Sequence, residues 1–252
     1  MVKDKQGYTL VELIVVMAIF SVVAMAISVT FSNLLKQEAQ QSRSATSQIA
    51  GIVGLEMLRS DIAHAGFALP WSYQVTPTFT EVTQQPVAGL VDATKFAGFN
   101  ETTPPHAVLG TASSLGPHYL VLKSALLALN SPSVGHWGFV NYSSGSQSTI
   151  STNNDPATDV LSGQDRLISL NVSFDTLGNE TRQLLMADAT TFYYPVTYTP
   201  PANPVPPAWA QPSDPTQSAI AYAISDTNLR MPYNRADYYV DFNASKPTSC
   251  SQ

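Results

Sequence analysis

One carboxylate in this sequence stands where a carboxylate is costly. Glu12 lies at the N-terminal edge of Leu13–Leu35, a stretch with no charged residue. At the centre of a membrane helix an acidic residue costs about 2.5–3.5 kcal/mol on insertion scales, so such a group calls for a partner or a task. The other residues able to do chemistry are dispersed. His64, His106, His118 and His136 show no paired ligand spacing such as H-E-x-x-H, and no zinc site is expected. Asn153, Asn154, Asp155, Asp159 and Asp165 crowd one oxygen-rich segment that could face Ca²⁺. Their spacing departs from an EF-hand loop, which needs a central Gly and a closing Glu, and an ordinary polar turn is expected instead. No Walker loop, G-x-G-x-x-G or G-x-S-x-G element occurs. The expectation is no catalytic residue, no metal and no cofactor.

The element that must position Glu12 is the apolar stretch behind it. As a helix, Leu13–Leu35 would span roughly 34 Å at 1.5 Å per residue, enough for a hydrocarbon core of about 30 Å. Lys3 and Lys5 precede it, and Lys36, Glu38 and Arg43 follow. The positive-inside rule then places the short N-terminus in the cytoplasm and the remainder outside. Two plainer readings compete. A secretory signal has an apolar region of about 7–15 residues before a small-residue cleavage site, and Ala24-Met25-Ala26 resembles such a site. The apolar run nevertheless continues through Ile27, Val29 and Phe31. A plain single-pass anchor would accommodate that length but leaves Glu12 unexplained.

The hexapeptide Gly7-Tyr8-Thr9-Leu10-Val11-Glu12 resembles the type III leader motif of type IV prepilins and pseudopilins. That motif is a short charged leader ending in Gly, an aromatic residue, then a Glu five positions after the cut. The resemblance implies cleavage between Gly7 and Tyr8 by a membrane peptidase, which also methylates the new amine of Tyr8. Phenylalanine is usual at that position, so Tyr8 departs mildly from the pattern. It further implies that the apolar helix is kept and that Glu12 meets the N-terminal amine of a neighbouring subunit during assembly. Elementary physics agrees: Glu12 lies four residues after Tyr8, on one helical face. A negative charge near a helix N-terminus is favoured by about 0.3–1 kcal/mol, and a buried carboxylate lacking its partner is strongly penalised. The plainer reading of Glu12 is an interfacial residue that snorkels to water.

No proline interrupts Tyr8–Ala65, and one helix is expected there, roughly 87 Å long. Beyond the apolar stretch Ile49, Ile52, Val53, Leu55, Leu58 and Ile62 recur at three- and four-residue spacings. The stripe Ile49, Ile52, Leu55, Leu58 and Ile62 is expected to be buried against a sheet. Gly51 and Gly54 weaken the helix locally, and Gly66 followed by Pro70 ends it. Leu58-Arg59-Ser60-Asp61-Ile62-Ala63-His64-Ala65-Gly66-Phe67 is similar to the helix end of PilW-like minor pilins and, in part, of J-type pseudopilins of type II secretion. The plainer reading makes Arg59 and Asp61 a solvated face before a glycine cap.

After residue 67 the chain reads as β-rich. Ile168, Leu170, Val172 and Phe174 alternate with Ser169, Asn171 and Ser173, predicting a half-buried strand with Arg182–Met186 as its hairpin partner. Tyr119–Lys123, Trp137–Tyr142, Thr190–Tyr194, Ile220–Ile224 and Tyr238–Phe242 are further strand candidates. Eight prolines between Pro195 and Pro215 exclude a central strand and predict a solvated, extended surface loop. Hydrophobic residues make up 44% of the chain and charged ones 12%, a folded protein rather than a disordered one. A net charge of −6 without a Lys/Arg cluster argues against nucleic acid. Cys250 is the one cysteine, which suggests intermolecular pairing, a free thiol or a missing partner. Its polar tail has no closing strand, and the natural chain is expected to continue past Gln252.

The expected fold class is α+β and pilin-like: a long N-terminal helix, its first half membrane-spanning, packed on an antiparallel β-sheet with long loops. The divisions are a leader at 1–7, a transmembrane and assembly half-helix at 8–35, an amphipathic half at 36–66, and a globular part at 67–252 with a Pro-rich loop at 195–215. The resemblance implies a minor pilin in type IV pilus assembly, with a J-type pseudopilin as the alternative. Its partners would be the prepilin peptidase/methyltransferase, major and minor pilins, the inner-membrane assembly platform and membrane lipid. It would sit in the inner membrane with the globular part outside the cytoplasm and join a pilus at the cell surface. A single-pass adhesin or sensor is the alternative of another class.

Overall fold

The computed structural model describes residues 9–79, 81–85, 91–101, 104–111, 119–127, 131–142, 148–151, 163–174, 176–196, 204–215 and 217–240. The chain divides into two compact units between Met57 and Leu58. The first is helical. Helix α1 runs Leu10–His64 without interruption, as the absence of proline allows. The apolar side chains of its first part, from Leu10 to Leu35, are exposed in the isolated chain. Three of its hydroxyls are satisfied within the helix: Ser21 donates to Met17 O at 2.8 Å, Thr30 to Ala26 O at 2.9 Å and Ser32 to Ser28 O at 2.9 Å. Such back-bonding lowers the cost of placing those hydroxyls in lipid.

The second unit begins with the last turns of α1. The helix stops because Gly66 takes φ +84°, the left-handed geometry of a C-terminal cap. Gly66 N–H donates to Lys123 O at 2.9 Å, and Ala125 N–H donates to Phe67 O at 3.0 Å. The helix end is thereby stitched to the strand that contains Lys123.

The strands are β1 Ser72–Tyr73, β2 Val108–Thr111, β3 Tyr119–Ser124, β4 Trp137–Val140, β5 Ile150–Ser151, β6 Arg166–Phe174, β7 Glu180–Leu184, β8 Tyr194–Pro195, β9 Ser218–Ser225 and β10 Asn234–Tyr239. Among the described residues they form two sheets. The larger has the order β1-β7-β6-β9-β4-β5, with β8 also paired to β6, and the smaller has the order β10-β3-β2. All pairings are antiparallel except β1 with β7, so the larger sheet is mixed rather than purely antiparallel. The architecture is α+β, with a long N-terminal helix and a β-rich remainder.

Strand β6 corrects the expectation of a half-buried strand. Ile168 and Leu170 enter a core with Phe79, Phe192 and Tyr233, while Leu167 enters a second core with Val140, Ile150 and Tyr194. Both faces of its centre are covered, and Ser169 and Asn171 are buried as well. On neighbouring β9, Ala219, Ala221 and Ala223 face the second core. These short side chains leave room for the Pro-rich segment to lie close. Ile150 N–H donates to Pro204 O at 2.7 Å, Ala210 is fully buried, and Trp209 packs edge-on against Tyr194 at 5.6 Å. The described part of the Pro-rich segment is therefore a packed strap, where a solvated loop was expected. Proline suits this role: its fixed φ lowers the entropy lost on ordering an extended segment.

Three strand expectations shift. The hairpin partner of β6 is Glu180–Leu184, two residues earlier than Arg182–Met186, as its register with β6 sets. Thr190 and Thr191 lie in a turn, because their N–H groups donate to Asp188 Oδ1; only Tyr194 of that segment pairs. The last strand is Asn234–Tyr239, earlier than Tyr238–Phe242.

The buried-stripe expectation fails where the stripe lies within the globular unit: Ile62 is exposed and Leu58 only half-buried. The physical reason lies within the globular unit. Its sheets cover their apolar faces with segments of their own: Phe79, Phe192 and Tyr233 on one side, the 204–212 strap on the other, and Val91, Phe96 and Phe99 over the smaller sheet.

Candidate assembly site

Gly7 and Tyr8, the expected cleavage and methylation residues, lie outside the described residues. The structure begins beside them at Thr9. Thr9 N–H and Thr9 Oγ1 each donate to Glu12 Oε2 at 3.0 Å, and Glu12 N–H donates to Thr9 Oγ1 at 3.3 Å. This is a reciprocal capping box: Thr at the cap and Glu three residues later satisfy each other's orphan donors. The sequence reading did not use Thr9, although the T-x-x-E spacing before an apolar run is its signature. Glu12 therefore has a local task in its own helix. The carboxylate is held at the helix N-terminus, where the macrodipole favours it, and both bonds from Thr9 use the same oxygen.

Behind Glu12 the exposed surface of α1 is apolar from Leu13 to Leu35. Among the described residues, α1 is the helix long and apolar enough to cross a membrane. Further along, the exposed Ile49, Ile52, Val53, Leu55 and Met57 extend apolar surface into the part bearing Lys36, Glu38, Arg43 and Glu56.

At the helix end Asp61 is the one buried residue of α1, 7% exposed. Tyr238 Oη donates to Asp61 Oδ2 at 2.6 Å. This corrects the solvated-face reading for Asp61, while Arg59 is exposed as that reading expects. Burial, then the neighbouring Asp61 carboxylate, pushes the Tyr238 phenol up, so it remains a donor. His64 Nδ1 lies 2.8 Å from Ser60 O, a contact within the helix.

The remaining polar clusters are structural in geometry. Lys123, fully buried in β3, donates to Glu81 Oε1 at 2.7 Å, Phe99 O at 2.8 Å and Glu101 Oε2 at 2.9 Å. Arg235 reaches Glu81 Oε2 at 2.7 Å and Asp237 Oδ1 at 2.6 Å, and Tyr233 Oη donates to Glu81 at 2.6 Å. The cluster ties the 81–101 segment to β3 and β10. His106 donates through its N–H to Glu101 Oε2 at 2.9 Å, and its Nδ1 also meets that carboxylate. Asp165, the described member of the oxygen-rich segment, is fully buried and engages Ser133 and His136. Ser133 donates to the carboxylate and not to the imidazole, so these three lack the nucleophile-to-base contact of a triad. Asn153, Asn154, Asp155, Asp159, His118 and Cys250 lie outside the described residues. Among the described residues no group of three His, Cys, Asp or Glu is placed to hold a metal ion.

Residues 2–28 match the family profile described as the prokaryotic N-terminal methylation motif. The match spans the leader, the Gly7–Glu12 hexapeptide and most of the apolar stretch. It supports a prepilin-type protein, a pilin or a pseudopilin, and with the long apolar helix it fits a membrane-anchored, single-pass chain. No curated protein and no solved structure matches this chain.

Proposed function

We propose that this chain is a minor pilin, PilW-like, that joins or primes a type IV pilus and works by assembly rather than catalysis. The observation that supports this most is a conjunction at one helix end. A methylation-motif leader stands directly before a capped carboxylate, and the apolar helix surface behind it is exposed. Apolar surface of this extent is unfavourable in water and is stabilised by lipid or by other helices. In this reading the prepilin peptidase cuts after Gly7 and methylates Tyr8. Glu12 then sets the register by meeting the amine of a neighbouring pilin, and the major pilin, other minor pilins and the inner-membrane platform are its partners. A J-type pseudopilin would share every one of these features. The Gly66-Phe67 helix ending and the Pro-rich strap favour the pilus.

Glu12 has two tasks in this account, and one pair of variants separates them. Glu12→Gln keeps the capping box, since glutamine serves at that position, but removes the charge. Glu12→Ala removes both. If charge pairing with a neighbour's amine sets the register, both variants lose recovery in sheared fibres and crosslinking to other pilins, while leader cleavage persists. Fibre recovery of Glu12→Gln equal to wild type would reduce Glu12 to its capping role.

A further inference from the structure

The larger sheet carries a cavity of about 300 Å³ on the face that bears the strap. Its walls come from β6 and β7, from Gln74, and from the 208–217 part of the strap, with Tyr142 and Ser148 at one side. Every described lining residue is uncharged at neutral pH. The polar groups are mostly carboxamides: Asn171 and Gln183, directly paired across β6 and β7, with Gln74 and Gln217 beside them. Trp209 and Tyr142 supply aromatic surface.

One member of this set is unfinished. Asn171 is 7% exposed, and its Nδ2 donates to Gln217 Oε1 at 3.0 Å. Its Oδ1 has no hydrogen-bond partner among the described residues and is itself sealed from solvent, so a small rotation of the amide is needed before it meets anything in the cavity. A buried amide atom left unpaired is unfavourable, and native proteins answer nearly all such groups. Turning the amide would exchange the two atoms but still leave one of them unanswered. A polar cavity of this kind holds water until a ligand replaces it.

We propose that this cavity is a binding site for a neutral saccharide of one or two rings. Carboxamides present a donor and an acceptor side by side, which matches the donor-acceptor character of vicinal hydroxyls. The C–H face of a pyranose packs on an aromatic ring such as Trp209 or Tyr142. The absence of a charged group among the described lining residues disfavours sialylated or sulfated sugars, whose anions would be desolvated without a counter-charge. The volume lies at the low end of small-ligand sites, about 300–1,000 Å³, and so favours a terminal sugar over an extended chain. The site belongs entirely to the globular unit, and the inference is independent of whether the chain enters a filament.

The test uses the full-length chain in a polyoxyethylene-ether detergent, because glucoside and maltoside detergents carry the chemistry under test. The protein is applied to immobilised glycans ending in neutral hexoses or N-acetylhexosamines, alongside sialylated and sulfated counterparts. Retained glycans are followed by titration of the matching free methyl glycoside with saturation-transfer NMR. The expected result is retention on neutral glycans and competition by the free glycoside. Binding should weaken about tenfold or more in Asn171→Leu and in Gln183→Leu, at unchanged melting temperature. Gln183 is half-buried at the cavity wall, so its variant carries the test if Asn171→Leu does not fold. The proposal is overturned by no retention on any neutral glycan with free glycoside silent at about 10 mM. Stronger binding to acidic glycans overturns it equally, as does wild-type affinity in folded Gln183→Leu.

Discussion

Tyr238 donates a hydrogen bond of 2.6 Å to Asp61, joining β10 to the last turns of α1 across 177 positions of sequence. A carboxylate near a helix C-terminus faces the unfavourable end of the macrodipole, so Asp61 is kept there by its partner and not by the helix.

Removing that partner should therefore cost more than a typical surface change. Tyr238→Phe leaves a buried carboxylate without its donor, and a loss of about 1–3 kcal/mol is expected. Asp61→Asn keeps a hydrogen-bonding group and should cost less. Urea unfolding of wild type, both single variants and the double variant measures the coupling. Additive losses would mean that the two residues do not act as a pair.

Gly66 is the hinge between helix and sheet that a side chain cannot replace. A Cβ there would lie 3.1 Å from Ala107 Cβ, and φ is +84°. Gly66→Ala should cost about 1–3 kcal/mol from the left-handed conformation and the contact together. Adding Ala107→Gly should recover part of the loss, because it removes the contact and leaves the backbone strain. Thermal melts of the two variants read this directly. Full recovery would locate the whole cost in the contact.

The buried ion cluster predicts a sharp penalty for breaking it by halves. Lys123→Met leaves Glu81 in the core with one cation fewer, and about 3–5 kcal/mol of destabilisation is expected. Lys123→Met with Glu101→Gln removes the cation together with one of its two anions, leaves Glu81 paired with Arg235, and should be less unstable than Lys123→Met alone. A double variant that unfolds more readily than the single one would contradict this account of the cluster.

Acid should unfasten the same region. Burial alone would push the Glu101 carboxyl up, but hydrogen bonds from Lys123 and His106 outweigh it and bring the group below its usual 4.5. A lowered native pKa gives stabilisation that is present above about pH 4.5 and lost as the pH falls through the native value. Asp188, held at about 2 by hydrogen bonds from Thr190 and Thr191, extends that acid window downward. Stability of Glu101→Gln should accordingly fall less steeply than wild type below pH 4.5, as chemical denaturation across pH would report. Identical slopes would show that Glu101 contributes nothing to acid sensitivity.

The N-terminal third of this account was legible because its signals are local. The leader hexapeptide, the uncharged run and Gly66 each act within a few residues, and strands β3, β4, β6, β7 and β9 announced themselves by apolar and β-branched patterning. The capping box of Thr9 and Glu12 is equally local, carried by the T-x-x-E spacing before an apolar run. Other features were not readable in principle. Lys123 and Arg235 both reach Glu81 from distant parts of the chain, and no spacing rule connects them. Val108–Thr111 was missed as a strand because Gly110 breaks an already short pattern. The 49–62 stripe was read correctly as apolar. At Ile62 the expected cover is missing, because periodicity identifies an apolar face and not what meets it.

The central claim is that the leader is cut at Gly7 and the apolar helix is kept. Intact-mass analysis of the full-length protein extracted from membranes of its native host tests it most directly. The account predicts a mature chain that begins at Tyr8 and carries one methyl group on its amine. A mature chain beginning at Ile27 would contradict it, because it would assign the apolar segment to an ordinary signal peptide and remove most of that helix's apolar run.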